Sequence, residues 1–335
     1  MPEALLHKNK PLAVAVALVL ALVLHAGNFM RPVPASPNPG PLYQLLQVST
    51  WPPVLLPIVG LAILALTALL LDMQLSKFNL LGSISGYPVL FFAVFASLHP
   101  SMGSLSPGLA ALPFIVLAFW GFLVNFGHKH GQFSALATGL CLAIASLLYY
   151  PFLIFLPFGI TALAVLKPAS WREFTAQIVG FGLAYGIFYS LLYLTDMPMP
   201  VYPQIGYADL PAFFGGFSSS WGFWVASGVC FVLLNLALAN IFNTFNTYKI
   251  ITRRFFSIVL LVPAFLIPAS ALPPQPDVDV WWPVAIPFSV LMGRFFLDIK
   301  KPAVARLIFA LLILAMLLAR FDYYFGSGFT FKLVN

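Results

Sequence analysis

The chain repeatedly runs for the width of a bilayer without a charged side chain. "PLAVAVALVLALVLHAGNF", Pro11 to Phe29, is one such run, and "VLLPIVGLAILALTALLL", Val54 to Leu71, is another. A helix needs about 20 apolar residues to cross the hydrocarbon core. Charged residues make up 7% of the chain and hydrophobic residues 61%. A soluble domain carries roughly a quarter charged residues, so this chain lacks the polar surface to face water. It must take lipid as its solvent, with its backbone groups satisfied internally. The expected fold is an all-α polytopic transmembrane bundle forming a single integral membrane domain over residues 1–335.

Hydropathy places eleven candidate crossings at roughly 11–29, 52–71, 84–99, 107–126, 133–149, 151–166, 173–194, 221–246, 255–272, 280–297 and 304–320. The third, fifth and sixth are short, and are expected to be tilted or shielded by neighbours. Only Tyr149-Tyr150-Pro151 separates the fifth from the sixth. Proline disfavours helix in the residue before it, so a tight hairpin is expected there. The first run follows His7, Lys8 and Lys10 and is read as a retained helix rather than a cleaved leader.

The charges give an independent test. With the N-terminus cytoplasmic, eleven crossings put Lys8, Lys10, Lys77, Lys129, Lys167, Arg172, Lys249, Arg253, Arg254, Arg294, Lys300, Lys301 and Arg306 on the cytoplasmic side. Of the 16 Lys and Arg residues, only Arg31, Arg320 and Lys332 then fall on the far side, with the C-terminus. That bias is what the positive-inside rule requires. The net charge of +7 therefore reads as topology, with lipid rather than nucleic acid as partner. The far side collects Asp196, Asp209, Asp277, Asp279 and Asp322. Two longer connectors lie there, Arg31 to Thr50 and Thr195 to Trp221. Both are rich in proline and are expected to be stiff and extended.

Few residues suggest chemistry. In "NIFNTFNTYKIITRRFF", Asn240, Asn243 and Thr247 share a helix face, and Lys249, Arg253 and Arg254 follow. Counting about 20 residues from the Trp221 and Trp224 anchors puts Asn240 where water begins. The stretch reads as a helix end. Its alternative is an anion site, with amides and cations facing a lipid phosphate. Asn235, one turn deeper, is a candidate for contact between helices. Arg294 has Asp298 at i+4, and Tyr185, Tyr189 and Tyr193 form a stripe. His25 and His99 are lone histidines near helix ends, and His128 and His130 make a weak metal pair at most. Cys141 and Cys230 lie in apolar runs without metal spacing. No nucleophile triad, phosphate loop, zinc spacing or dinucleotide fingerprint is present, so neither a cofactor nor a metal is expected.

Several passages together carry a resemblance. They are "HKNKPLAVAVALVLAL", "PGPLYQLL", "FSALATGLCLAIASLLYYPFLIFLPF", "SWREFTAQIVGFGLAY", "NTYKIITRRFF" and "AIPFSVLMGRFF". The chain resembles a family of polytopic inner-membrane proteins of Bacteroidota grouped as domain of unknown function 6427. That resemblance covers nearly the whole chain, implies a bacterial inner membrane, and brings no functional residues with it. The architecture also resembles the protein O-mannosyltransferase branch of the lipid-linked (GT-C type) glycosyltransferases. Those enzymes use a polyprenyl-phosphate sugar and an acidic residue in the first outer loop. Here Arg31 to Thr50 contains no Asp or Glu, so Asp196 or Asp209 would have to serve.

Three functions remain open at this point. The first is a non-catalytic membrane subunit of a cell-envelope biogenesis or secretion assembly, with a protein partner. The second is an enzyme-like protein handling a polyprenyl-phosphate-linked glycan, with Asp196 or Asp209 as base and Arg31 and Arg320 holding phosphate. The third is a lipid or small-molecule transporter, suggested by Pro263, Pro268, Pro283 and Pro287 in the ninth and tenth segments.

Overall fold

The computed structural model describes residues 10–25, 36, 38–82, 85–98, 104–127, 131–166, 170–198, 200, 221–273, 277–299 and 301–325. They form helices α1 (Lys10–His25), α2 (Pro41–Leu45), α3 (Leu55–Lys77), α4 (Tyr87–Phe95), α5 (Pro107–Gly127), α6 (Gln132–Leu148), α7 (Phe155–Leu166), α8 (Trp171–Leu194), α9 (Trp221–Thr244), α10 (Ile250–Ala271), α11 (Ala285–Asp298) and α12 (Pro302–Phe325). Short 3-10 turns join several of them, including Tyr150–Ile154, Phe245–Thr247 and Val278–Val284. Among the described residues, seven helices are long and apolar enough to cross a membrane. The protein is a multi-pass, all-α membrane bundle.

Local sequence explains the boundaries. Pro41, Pro107 and Pro302 stand first in their helices, where a missing N–H costs nothing. Ser170 and Glu173 make a reciprocal capping box at the start of α8. Asp196 ends the same helix in the left-handed region, at φ 50°, which aspartate tolerates better than most residues. Pro263 and Pro268 lie inside α10 without ending it.

Burial separates the helices that hydropathy could not. All nine residues of α4 are buried. At about 1.5 Å per residue it is too short to span a bilayer, and it is apolar because protein surrounds it. Most of α11 is also buried, whereas α9 and α12 expose one long side. Leu183, Ile187 and Leu191 of α8 likewise face outward.

Lipid removes the hydrophobic drive between helices, so contact must come from close packing and polar links. Aromatic rings supply much of the first. Phe119, Phe122, Phe155 and Phe158 interlock with centroids 5.2–6.3 Å apart. Phe91 meets Phe296 of α11 at 4.6 Å, and Phe95 meets Phe288 at 5.0 Å. Such pairs contribute about 0.5–1.5 kcal/mol each beyond area burial. Between α6 and α8 the close packing comes from glycine. A Cβ on Gly139 would lie 3.0 Å from both Gln177 C and Phe181 N, and one on Gly180 would lie 3.0 Å from Leu136 C.

Contacts between helix ends sort into two groups. At one end, His25, Ser97, Leu105, Tyr149, Asp279 and Arg320 lie among one another's helices. At the other, Arg254 donates to Val165 O (3.0 Å), Gly131 N donates to Glu173 Oε1 (3.1 Å), and the Lys77 ammonium sits 4.6 Å from the Trp120 ring centroid. We term these the carboxylate end and the basic end.

The first connector differs from the extended segment expected of its prolines. Gly40 N donates to Leu148 O (2.8 Å), and Pro39 pairs with Tyr149 in a β-bridge. A Cβ on Gly40 would meet the Leu147 and Leu148 backbone at 2.6–2.7 Å, so glycine permits this approach. The end of α6 gives the segment somewhere to dock.

Candidate functional sites at the two ends of the bundle

At the basic end, α9 runs to Thr244 and stops, as the counting from Trp221 implies. Asn240 donates through Nδ2 to Asp298 Oδ2 at 3.0 Å. Asp298 also pairs with Arg294 at 2.8 Å, with the two side chains 20% and 25% exposed. Arg294 further donates to Leu81 O (2.5 Å) and lies 4.9 Å from the Tyr248 ring centroid. Tyr248 and Thr244 share a 2.6 Å hydrogen bond. Asn240 is thus spent on a carboxylate, in a node that ties α9 to α11 and to the segment after α3. Asn243, Lys249 and Arg254 are exposed, and Arg253 is half-buried. Arg254 is engaged by Val165 O. Asn235 faces out and donates to Phe231 O of its own helix (2.8 Å), rather than reaching another helix.

At the carboxylate end, Arg320 is 5% exposed. Its Nε donates to Ser97 O (3.2 Å) and its Nη2 to His25 Nδ1 (2.9 Å). Guanidinium nitrogens only donate, so His25 Nδ1 accepts and Nε2 carries the proton. That proton points to Ser97 Oγ at 3.5 Å, and Ser97 donates in turn to Ala93 O (2.9 Å). The lone histidine and the terminal arginine of the sequence are one node joining α1, α12 and the end of α4. Nearby on α12, Asp322 accepts from Gly222 N at 3.0 Å, which seats the start of α9.

A second node at this end escaped the sequence reading. Asp277 accepts from Ser36 Oγ of the first connector and, through Oδ1, from Asp279 N (3.0 Å). Asp279 is 4% exposed and accepts from Gly108 N at the start of α5 (3.4 Å). Trp282 donates to Ser106 Oγ (3.2 Å), and Tyr43 donates to Leu105 O (3.4 Å). Burial, then the charge of Asp279, pushes the Tyr43 phenol above its ordinary value. The signal was "DVDVWW" beside "YYP", two short strings far apart in sequence that only the fold brings together.

Asp196 is exposed at the end of α8. Arg31, Asp209, His99, His128 and His130 lie outside the described residues, as does most of the connector from Thr195 to Trp221. In the tyrosine stripe, Tyr185 bonds Ser146 of α6 (2.9 Å) and stacks on Tyr189, whereas Tyr193 is exposed. Cys141 and Cys230 are free thiols.

The folded chain is therefore a multi-pass helical membrane protein with polar nodes at both ends among the described residues. Comparison with protein-family models, curated proteins and solved structures finds no match for it.

Proposed function

We propose that this protein is a non-catalytic membrane subunit of a cell-envelope biogenesis or secretion assembly in a bacterial inner membrane. In this reading the chain crosses eleven times, α4 passing through only as part of a segment enclosed by protein, with α1 entering from the cytoplasm and the carboxylate end periplasmic. The clustering of Lys77, Arg172, Lys249, Arg253, Arg254 and Arg294 at helix termini of the basic end supports that orientation. One observation carries the functional reading: the buried or half-buried groups of His25, Ser97, Arg320, Asn240 and Asp298 are used to hold one helix to another. Arg320 is engaged by His25 and Ser97 rather than presented to a phosphate. Asn240 is engaged by Asp298. The exposed apolar sides of α8, α9 and α12 offer lipid or a partner subunit a long surface. The test is purification at native expression level in mild detergent. A partner at fixed stoichiometry is expected. A purified monomer that turns over a lipid-linked glycan would overturn the proposal.

One observation favours the enzyme-like reading, in which the protein handles a polyprenyl-phosphate-linked glycan. A pair of carboxylates, Asp277 and Asp279, lies beside the first connector at the end assigned to the periplasm. Altered envelope glycans in Asp277→Asn or Asp279→Asn cells would bring that reading forward. The aromatic filling between α4, α5, α7 and α11 does not favour the transporter reading.

A further inference from the structure

We propose that α9 is the surface through which two copies of this chain pair in the membrane, with the amide of Asn235 bonded to the same amide of the second copy. The starting point is a polar group left unmet in lipid. Asn235 is exposed within α9, and its Nδ2 donates to Phe231 O of its own helix (2.8 Å). A side-chain amide has two N–H donors and an accepting oxygen. One N–H and Oδ1 are therefore left without a partner among the described residues. Hydroxyls of the bundle differ. Thr67, Thr244 and Ser257 each place their single O–H on a carbonyl of their own helix.

Water does not supply the missing bonds. Trp221 anchors one end of α9, and Asn235 follows fourteen residues later, about 21 Å along the helix axis. That depth lies inside a hydrocarbon core about 30 Å thick. Side chains on a helix lean toward its N-terminus, so Asn235 points toward Phe231 and away from the water at the basic end. Acyl chains neither donate nor accept. The unmet groups call for a polar partner at this depth.

Electrostatic complementarity selects a second copy. An amide is positive at its N–H and negative at its oxygen, so it complements itself when turned about a two-fold axis. Each Nδ2 then keeps one hydrogen on Phe231 O and gives the other to Oδ1 across the axis. Copies in one membrane run parallel, so the two amides meet at equal depth whichever way the protein faces. The surrounding surface fits such a crossing. Val225, Gly228, Val232, Asn235, Ala239 and Phe242 follow at alternating spacings of three and four, and all are exposed. That spacing is the seam of a left-handed helix pair. A Cβ on Gly228 would meet nothing within 4 Å, so a second backbone has room to approach. A lone amide on an apolar seam also fixes its register. The pairing is independent of the non-catalytic reading, and its failure would leave that reading standing.

The test uses the full-length protein in liposomes, with Cys141 and Cys230 replaced. Energy transfer between copies labelled at Asp196→Cys is followed as the protein-to-lipid ratio falls. Reversible association is expected, weakened roughly tenfold by Asn235→Leu and partly recovered in Asn235→Gln. Asn235 bonds only its own helix, so the melting temperature in excess detergent should not change. In native membranes Val232→Cys should cross-link on oxidation, whereas Ile187→Cys, on the exposed side of α8, should not. A monomer at every dilution, association that Asn235→Leu leaves unchanged, or cross-linking at Ile187→Cys alone would overturn the proposal. So would loss of a different polypeptide from the purified protein on Asn235→Leu, which would assign the amide to a heterologous partner.

Discussion

Substituting Gly139 by alanine should separate α6 from α8, and the expected cost follows from the geometry. The new Cβ would lie 3.0 Å from Gln177 C and Phe181 N, and closer still to Gln177 O. Carbon atoms prefer about 3.5–4.0 Å, and all three obstacles are backbone atoms, which cannot swing away. The two helices must part by roughly 1 Å, and overpacking of this kind costs about 1–3 kcal/mol. Alanine also favours helix over glycine by up to about 1 kcal/mol, which would mask part of the loss. Gly182 supplies the correction. It lies in α8, two residues from Gly180, and a Cβ there meets nothing within 4 Å. Unfolding in mixed dodecyl sulfate micelles would give both free energies. Gly139→Ala should fall about 1–3 kcal/mol below Gly182→Ala. Gly180→Ala should behave like Gly139→Ala, because it meets Leu136 across the same interface. The double variant should cost less than the sum, since one separation relieves both clashes. If Gly139→Ala and Gly182→Ala agree to within about 0.5 kcal/mol, the helices do not cross through these glycines.

Three further outcomes are expected. Arg320→Leu leaves Ser97 O and His25 Nδ1 without their donor and should lower stability by about 1–3 kcal/mol for each group, whereas Arg306→Leu, at an exposed position, should be near neutral; equal melting temperatures for the two variants would contradict the node. Asp298→Ala should cost about 1 kcal/mol, and a double-mutant cycle with Asn240→Ala should show coupling between the two sites; strict additivity would mean that the contact contributes nothing. With Cys141 and Cys230 replaced, Asp196→Cys should react with an impermeant maleimide from the periplasmic side, and Lys249→Cys should react only after the membrane is opened; labelling of both from one side would refute the proposed orientation.

The class of fold was legible because lipid imposes one severe demand, and the runs at Pro11 to Phe29 and Val54 to Leu71 meet it openly. The helix end near Asn240 was legible for the same reason, by counting residues across a known thickness. Hydropathy could not tell α4 from a lipid-facing helix, because an apolar residue facing protein looks the same as one facing lipid. Proline content suggested an extended first connector and did not foresee the backbone bonds of Gly40 and Pro39 that dock it. The polar nodes were harder still. His25 and Arg320 stand at nearly opposite ends of the chain, as do Ser36 and Asp277. Each residue taken alone reads as an anchor or a packing group. Only their convergence gives them a role, and convergence is a property of the fold rather than of any local string.

The shortness and complete burial of α4 have a consequence for how the protein is made. Nine residues give a translocation machinery too little to insert as an independent span. The helix also depends on partners synthesised much later: Gly293 lies against Pro88, and Phe296 against Phe91, both contributed by α11. For most of its synthesis the nascent chain must therefore carry α4 unsheltered by its final neighbours, held in the membrane by α3 and α5 on either side. Assembly of this protein is expected to close from the C-terminal part back onto the N-terminal part. A nascent chain arrested before α11 should accordingly leave the α4 segment open to protease, and release of the full chain should protect it.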